Sequence, residues 1–408
     1  MLNNIFHCLI SFIIFYGIAI FISTNRKGIN KKIVLKGIFL QFIFAVVLIK
    51  IPSIALLLKE VAKAFSVMIK ATQAAGEVVF GGLANPALDT KLGYILAIQG
   101  FPVLIVVGAV SSILTYYGIL PAIIRFISGG FRRIFNIGGV LGAGVSVNVF
   151  SGMNETPIVI RTYLRHLTHS ELFSLMCCGM ASISTSIMSL YPVILDGVIE
   201  NSIVYVISAA LISVPGALTL SRIIIPETNI SHISESKDID FHRPNNLLEA
   251  LSDGILSGGK LVLRIIAMLI GFIALIEISN QILSSIDPSL TMQKILGVLM
   301  APIAWIIGVP WDESMIVGSL LGTKTVLNEI VVFADFVDVA AKLSEKSKLL
   351  AIYLLANFAN LGSVAVISGV YTGLIPERKS EIIQLSFKAM IVGTLVSFLT
   401  GAIVNILL

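Results

Sequence analysis

The chain has 408 residues, of which 56% are hydrophobic and only 12% charged, with a mean hydropathy of +0.98. An average soluble domain carries about 25% charged residues, so a soluble fold would have nowhere to bury this much apolar surface. The net charge of +5 comes from 28 Lys and Arg scattered between apolar runs, without the basic patch that a nucleic-acid partner requires.

Runs of about 20 residues nearly free of charge recur along the chain, and that length crosses the bilayer hydrocarbon at helical rise. Eight spans are expected, at 5–22, 33–50, 97–119, 172–195, 202–221, 261–282, 349–370 and 387–407. No Lys or Arg precedes the first apolar run, so the segment lacks the charged region of a signal peptide and is expected to stay as a helix. Sidedness follows from Lys and Arg, which favour cytoplasmic loops. Arg26, Lys27, Lys31, Lys32 and Lys36 follow the first span, Arg125, Arg132 and Arg133 the third, and Arg378 and Lys379 the seventh. All fall on one side, as does the long polar stretch from Arg222 to Lys260. A multi-pass protein of the cell inner membrane is expected, with both termini outside the cytoplasm. Lys59, Lys63 and Lys70 fall on the opposite side, but Ser53 to Ile69 mixes charged and apolar residues at helical spacing, as an interfacial amphipathic helix does.

Two stretches fit no simple span. Gly138 to Leu164 is interrupted by Asn148, Ser151, Asn154, Glu155 and Pro157; Asp312 to Ala341 carries Thr323, Lys324, Thr325, Asn328 and Glu329. A charge facing lipid costs about 2.5 to 3.5 kcal/mol on insertion scales, so re-entrant hairpins facing protein or water are expected instead. Each contains Asn-Glu, at Asn154-Glu155 and Asn328-Glu329. An odd number of spans between them turns the second copy upside down, the inverted-repeat plan that places a site at the bilayer midplane. The fold class is therefore all-α and polytopic. Its expected parts are scaffold and interfacial helices at 1–135, a first transport half at 136–221, a loop, scaffold span and outer interfacial helix at 222–311, and a second transport half at 312–408.

Thr156 before Pro157 reads as the N-cap and first position of a half-helix starting just after Glu155. Broken helices expose backbone groups to polar ligands and cations, and Asn154 and Glu155 add directional hydrogen bonds. The competing reading pairs Glu155 with an arginine to lock the tip. Asn328 and Glu329 admit both readings, with Lys324 as the structural partner. Asn360 and Ser363 read as neighbours on one helix face, and Ser182, Ser184, Thr185 and Ser186 as packing residues, with Ser182 available to a cation if the helix unwinds there. His166 and His169 lack a third ligand and read as solvated. Cys8, Cys177 and Cys178 lie in apolar stretches without C-x-x-C or metal spacing. Asn154-Glu155-Thr156 matches a glycosylation acceptor only formally, given its membrane depth. Glu277, alone in the sixth span, is left open between a pairing partner and a proton-sensitive site.

Asn148-Val149-Phe150-Ser151-Gly152-Met153-Asn154-Glu155-Thr156-Pro157 resembles the first-hairpin signature of the concentrative nucleoside transporters. Gly308-Val309-Pro310-Trp311 and Gly318 through Glu329 are similar to that family's second hairpin, and Phe358-Ala359-Asn360 through Ser363 with Pro376-Glu377-Arg378-Lys379 extends the likeness over roughly 95–408. The resemblance implies eight spans with two opposed hairpins in a homotrimer, carrying nucleosides by symport with a cation. By matching position, Glu329, Asn360 and Ser363 would bind ribose with Phe358 nearby, and Met153, Asn154 and Glu155 would face the base. Asn148, Ser151, Ser182 and Ile183 would hold sodium, the favoured coupling ion, with H⁺ the alternative; no other cofactor is implied.

Met153 and Asn154 stand where the family usually has Gln and Thr. The loss of a two-way hydrogen-bonding amide implies that purine nucleosides are accepted at least as well as pyrimidine ones, unless Met153 turns into the hairpin packing. A membrane-embedded enzyme is disfavoured because no H-E-x-x-H, G-x-S-x-G or Walker A pattern is present. A polar-solute channel is the remaining rival.

Overall fold

The computed structural model describes residues 2–84, 95–228 and 244–408, and all regular structure among them is helical. Helix α1 (Leu2–Phe21) and α2 (Lys31–Lys50) form the first two spans. The Asn30 side chain fixes the start of α2, accepting from Lys32 N at 3.1 Å and Ile33 N at 3.3 Å. Helix α3 (Pro52–Phe80) opens on a proline, which tolerates the first turn because its missing N–H would be unpaired there. It contains the expected interfacial segment and continues past it, with Lys59, Glu60 and Lys63 exposed.

After α4 (Val103–Tyr116), Gly118 turns the chain at φ 75° into α5 (Ile119–Phe135). Its arginines Arg125, Arg132 and Arg133 therefore lie on a helix and not in an open loop. Helices α6 (Gly139–Ser151), α7 (Thr156–Val159) and α8 (Arg161–Leu164) make up the first hairpin region. The fourth span is broken into α9 (His169–Ala181), α10 (Thr185–Met188) and α11 (Tyr191–Ile194). Then come α12 (Ser202–Ile224) and α13 (Leu247–Ile286). At 40 residues α13 is about 60 Å long, twice the hydrocarbon thickness. The expected polar loop to Lys260 is thus helical from Leu247 onward, and its residues 229–243 lie outside the described residues.

Helix α14 (Met292–Ile307) turns by 119° into α15 (Trp311–Val326). Helix α16 (Glu329–Val339) completes the second hairpin, followed by α17 (Glu345–Leu355), α18 (Leu361–Leu374) and α19 (Lys379–Leu407). Among the described residues, seven helices are long and apolar enough to cross a membrane. The span expected at 349–370 is not one of them, because α17 and α18 are separated by an irregular stretch, Ala356 to Asn360. In an apolar window that break is invisible: Asn357 and Asn360 are too few to lower its hydropathy, yet Asn357 accepts from Ala359 N within the break and Asn360 caps the helix that follows.

The most buried spans are α12 and α19 with His169–Met188, at 78%, 78% and 89% of their apolar windows. Helices α2 and α13 bury only 17% and present their apolar faces outward. The α13 helix packs on α4 at backbone contact: a Cβ on Gly254 would lie 2.6 Å from the Gly108 carbonyl oxygen. The bundle is a multi-pass membrane protein whose hairpins cross over, α7 resting on α18 and α11 on α16.

Candidate functional site

Four helix interruptions converge. The first hairpin turns at Gly152–Glu155, where Gly152 has φ +84° and any Cβ would meet Ser184 Cβ at 2.6 Å. Only glycine serves a position that combines left-handed backbone with this close approach. The helix that follows starts one residue earlier than expected: Glu155 precedes its first turn, and Thr156 caps nothing. The Thr156 hydroxyl instead donates to the Gly152 carbonyl at 2.7 Å, tying the tip together.

In the second hairpin Asn328 is the N-cap of α16, accepting from Ile330 N and Val331 N, both at 3.0 Å. Glu329 follows and is 4% exposed. The broken spans repeat the device: Ser184 starts α10 by accepting from Ile187 N at 3.4 Å, and Asn360 starts α18 by accepting from Ser363 N at 2.7 Å. Asn360 therefore sits at a helix terminus and not within a helical face. The two breaks touch, with Phe358 N donating to the Ser182 carbonyl at 3.3 Å.

Glu329 and Asn360 are joined directly, Asn360 Nδ2 donating to Glu329 Oε2 at 2.9 Å. Lys324 does not neutralise Glu329 by an ion pair. Its Nζ donates to Asn357 Oδ1, which also accepts from Ala359 N at 3.0 Å, so the lysine braces the break before α18. Glu155 forms no ion pair either, among the described residues; it faces Arg264 across the cavity.

One cavity gathers these elements. Met153, Asn154, Glu155, Glu329, Phe358, Asn360 and Ser363, the seven residues expected to bind substrate, all line it. The cavity has a volume of about 100 Å³, several waters' worth of room. Met153 is 6% exposed, with its Cβ against Gly179, so the side chain both packs and faces the cavity. Ser184 and Ile187 join from α10 and its cap, and Asn328 beside Glu329. The wall that sequence reading missed comes from α13: Leu261, Arg264, Ile265 and Met268, at the spacing of one helix face. The signal was an arginine inside the apolar run at 261–282, which an intramembrane charge makes worth asking about.

The expected cation residues lie next to this cavity. Asn148 and Ser182 are fully buried, Ile183 is in the break, and Ser151 ends α6 half-buried. Asn148 Nδ2 donates to the Leu175 carbonyl at 3.2 Å, but Asn148 Oδ1 and Ser182 Oγ have no hydrogen-bond partner. Unpaired neutral oxygens on α6 and in the adjoining α9–α10 break suit a hard monovalent cation, which takes oxygen ligands in place of its hydration. No group of three His, Cys, Asp or Glu suited to a metal occurs among the described residues. His169 Nδ1 lies 2.7 Å from Glu381 Oε1, which is bound in turn by Arg378. Glu277 is exposed, accepts from Gln281 Nε2 at 3.3 Å, and lies outside the cavity lining.

Three family models match successive parts of the chain: the N-terminus of Na⁺-dependent nucleoside transporters at 10–83, a nucleoside recognition region at 97–196, and the C-terminus of Na⁺-dependent nucleoside transporters at 205–405. An uncharacterised transporter of Haemophilus influenzae is 31% identical, over 99% of this chain and 98% of its own length. The nucleoside permease NupC of Helicobacter pylori is 30% identical, over 96% of this chain and 95% of its own. The solved structure of CNTnw in an inward-facing substrate-bound state superposes with a TM-score of 0.91 at 31% identity, covering 98% of both chains. With hairpins, breaks and matched length in agreement, the chain belongs to the Na⁺-dependent, concentrative nucleoside transporter family.

Proposed function

We propose that this protein imports nucleosides by sodium symport, with the ribose held by Glu329, Asn360 and Ser363 beside Phe358, and the base facing Met153, Asn154 and Glu155. It is a secondary active transporter and not an enzyme. The observation that carries the residue assignment is the Glu329–Asn360 hydrogen bond in the wall of a cavity lined by all seven residues. A carboxylate offers only acceptors, and an amide offers both kinds of group, so the pair complements vicinal hydroxyls, which donate and accept. Sodium is assigned to Asn148, Ser151, Ser182 and Ile183, supported by the unpartnered Asn148 Oδ1 and Ser182 Oγ. The larger soft surface of Met153 and Met268 supports acceptance of purines.

The proposed assembly is a homotrimer in the cell inner membrane with both termini outside the cytoplasm. Supporting it are the outward apolar residues of α3, such as Leu56 and Val67, and of α13, such as Leu263 and Ile270. The transport unit comprises 136–221 and 312–408, moving against a scaffold of 1–135 and 222–311. Purified protein in liposomes tests the whole reading. An inward sodium gradient should drive accumulation of labelled nucleoside, and Glu329→Gln should abolish it while the variant still assembles. Uptake indifferent to sodium but lost with the proton gradient would reverse the choice of ion. Counterflow separates this carrier from a channel.

A further inference from the structure

We propose that Arg264 and Glu155 read the base as a donor–acceptor pair, and that the pair selects 6-oxopurine nucleosides, guanosine and inosine, over adenosine. The inference rests on the nucleoside-transport reading and deepens it.

Arg264 is an arginine within a membrane-spanning helix, exposed to the cavity that it lines, with no hydrogen bond or ion pair among the described residues. Such a charge is expensive near lipid and is retained where a polar cavity or ligand receives it. The two carboxylates of the cavity face different cations, Arg264 for Glu155 and Lys324 for Glu329. Lys324 is occupied by Asn357, whereas the Arg264 guanidinium is free. The cavity therefore presents a donor-only fork from α13 and an acceptor-only carboxylate from the first hairpin, within electrostatic reach of each other. Asn154 Oδ1, buried without a partner, adds a second acceptor at the same hairpin tip.

Few bases match that arrangement. Guanine and hypoxanthine carry two acceptors side by side, O6 and N7, which a guanidinium binds in a fork, and beside them the N1–H donor that a carboxylate accepts. Guanine adds its exocyclic amine for Asn154 Oδ1. Adenine reverses both: its exocyclic amine meets the guanidinium and its bare N1 meets the carboxylate, setting donor against donor and acceptor against acceptor. A site built to hydrogen-bond one pattern rejects the analogue lacking it far more strongly than shape alone does. Uracil offers O4 to the guanidinium and N3–H to the carboxylate but has no counterpart of N7 to complete the fork, and falls between. Met153 and Met268 supply a polarizable, apolar surface for the flat faces of the ring.

Uptake into liposomes under a sodium gradient, with guanosine, inosine, adenosine, uridine and 7-deazaguanosine, tests the assignment. Wild type should take guanosine and inosine about tenfold or more better than adenosine, a bidentate contact discriminating by that order. It should take 7-deazaguanosine, which lacks N7, several-fold less well than guanosine. In Arg264→Gln the guanosine-to-adenosine ratio should fall about tenfold and the 7-deaza penalty should vanish; Arg264→Lys should restore only part of the ratio, lacking the fork. Wild-type indifference to adenosine against inosine, or to the N7 atom, overturns the proposal without any variant. So does an Arg264→Gln transporter in which all nucleosides fall by one factor with the ratio unmoved. If wild type accumulates no nucleoside at all, the transport reading itself has failed.

Discussion

Asn360 does two things at once, and substitution can separate them. Its Nδ2 donates to Glu329 Oε2 at 2.9 Å, and its Oδ1 caps α18 through Ser363 N at 2.7 Å. Asn360→Ala removes both: the cap is worth about 1 kcal/mol and a hydrogen bond to a charged group about 1.5–3 kcal/mol. Asn360→Ser keeps a good capping oxygen but is one atom too short to hold the Glu329 carboxylate. Asn360→Ser should therefore melt close to wild type and bind nucleoside about tenfold to a hundredfold more weakly, while Asn360→Ala shows the same loss of affinity and melts lower. Combining Asn360→Ser with Glu329→Gln should cost less than the two single losses together, since the partners form one unit, with a coupling of about 0.5–3 kcal/mol. Calorimetric titration of nucleoside into purified protein, beside melting curves, measures each term. Singles that add within about 0.5 kcal/mol would refute the idea that the pair acts as one ligand. A Ser variant as unstable as the Ala variant would refute the assignment of the cap.

Ser182→Ala removes a hydroxyl with no protein partner, so melting in sodium-free buffer should stay near wild type while the stabilisation by sodium disappears; a site filled to a hundred times its dissociation constant gives about 2.7 kcal/mol of that stabilisation. Equal sodium stabilisation in both proteins would remove Ser182 from the ion site. Gly152→Ala should abolish uptake and lower stability by about 1–3 kcal/mol, because the tip has φ +84° and no room beside Ser184; normal uptake would contradict the tight closure of the first hairpin. Lys324→Met should destabilise the protein by about 1–3 kcal/mol by freeing Asn357, and Lys324→Gln should recover part of the loss; a Met variant with wild-type melting would show that the brace is dispensable.

The span pattern and hairpins were legible because lipid leaves few alternatives: an apolar run must be helical, and a run holding Glu155 or Glu329 cannot face hydrocarbon. What escaped was finer than a hydropathy window. The fourth and seventh expected spans are each broken, at Ser182–Ser184 and Ala356–Asn360, by short capping side chains that weigh little in any average. Thr156 looked like a cap because it precedes Pro157, yet its hydroxyl found the Gly152 carbonyl instead. Arg264 was missed for another reason. It belongs to α13, 109 residues (264 − 155) along the chain from Glu155, and only the fold brings that wall to the first hairpin.

The distribution of unsatisfied atoms ties these pieces to transport. Asn148 Oδ1, Asn154 Oδ1, Ser182 Oγ and Asn357 Nδ2 are buried without partners, and all four belong to the first hairpin or to the two breaks. Gln41 Oε1, the Asn405 amide, Tyr16 Oη, Tyr191 Oη and Arg222 Nε are unpartnered too, and none of these residues lines the cavity. Each such group costs about 1–3 kcal/mol, so the free protein holds a reserve that a ligand offering the missing partner releases. The sodium set and the nucleoside cavity draw on one piece of backbone: Ser182, assigned to the ion, accepts through its carbonyl from the N–H of Phe358, which lines the cavity. An ion that orders the first break thereby orders the second. By linkage, whatever factor sodium contributes to nucleoside affinity, nucleoside must return to sodium, and a shared hydrogen bond between two broken helices gives that reciprocity a physical seat.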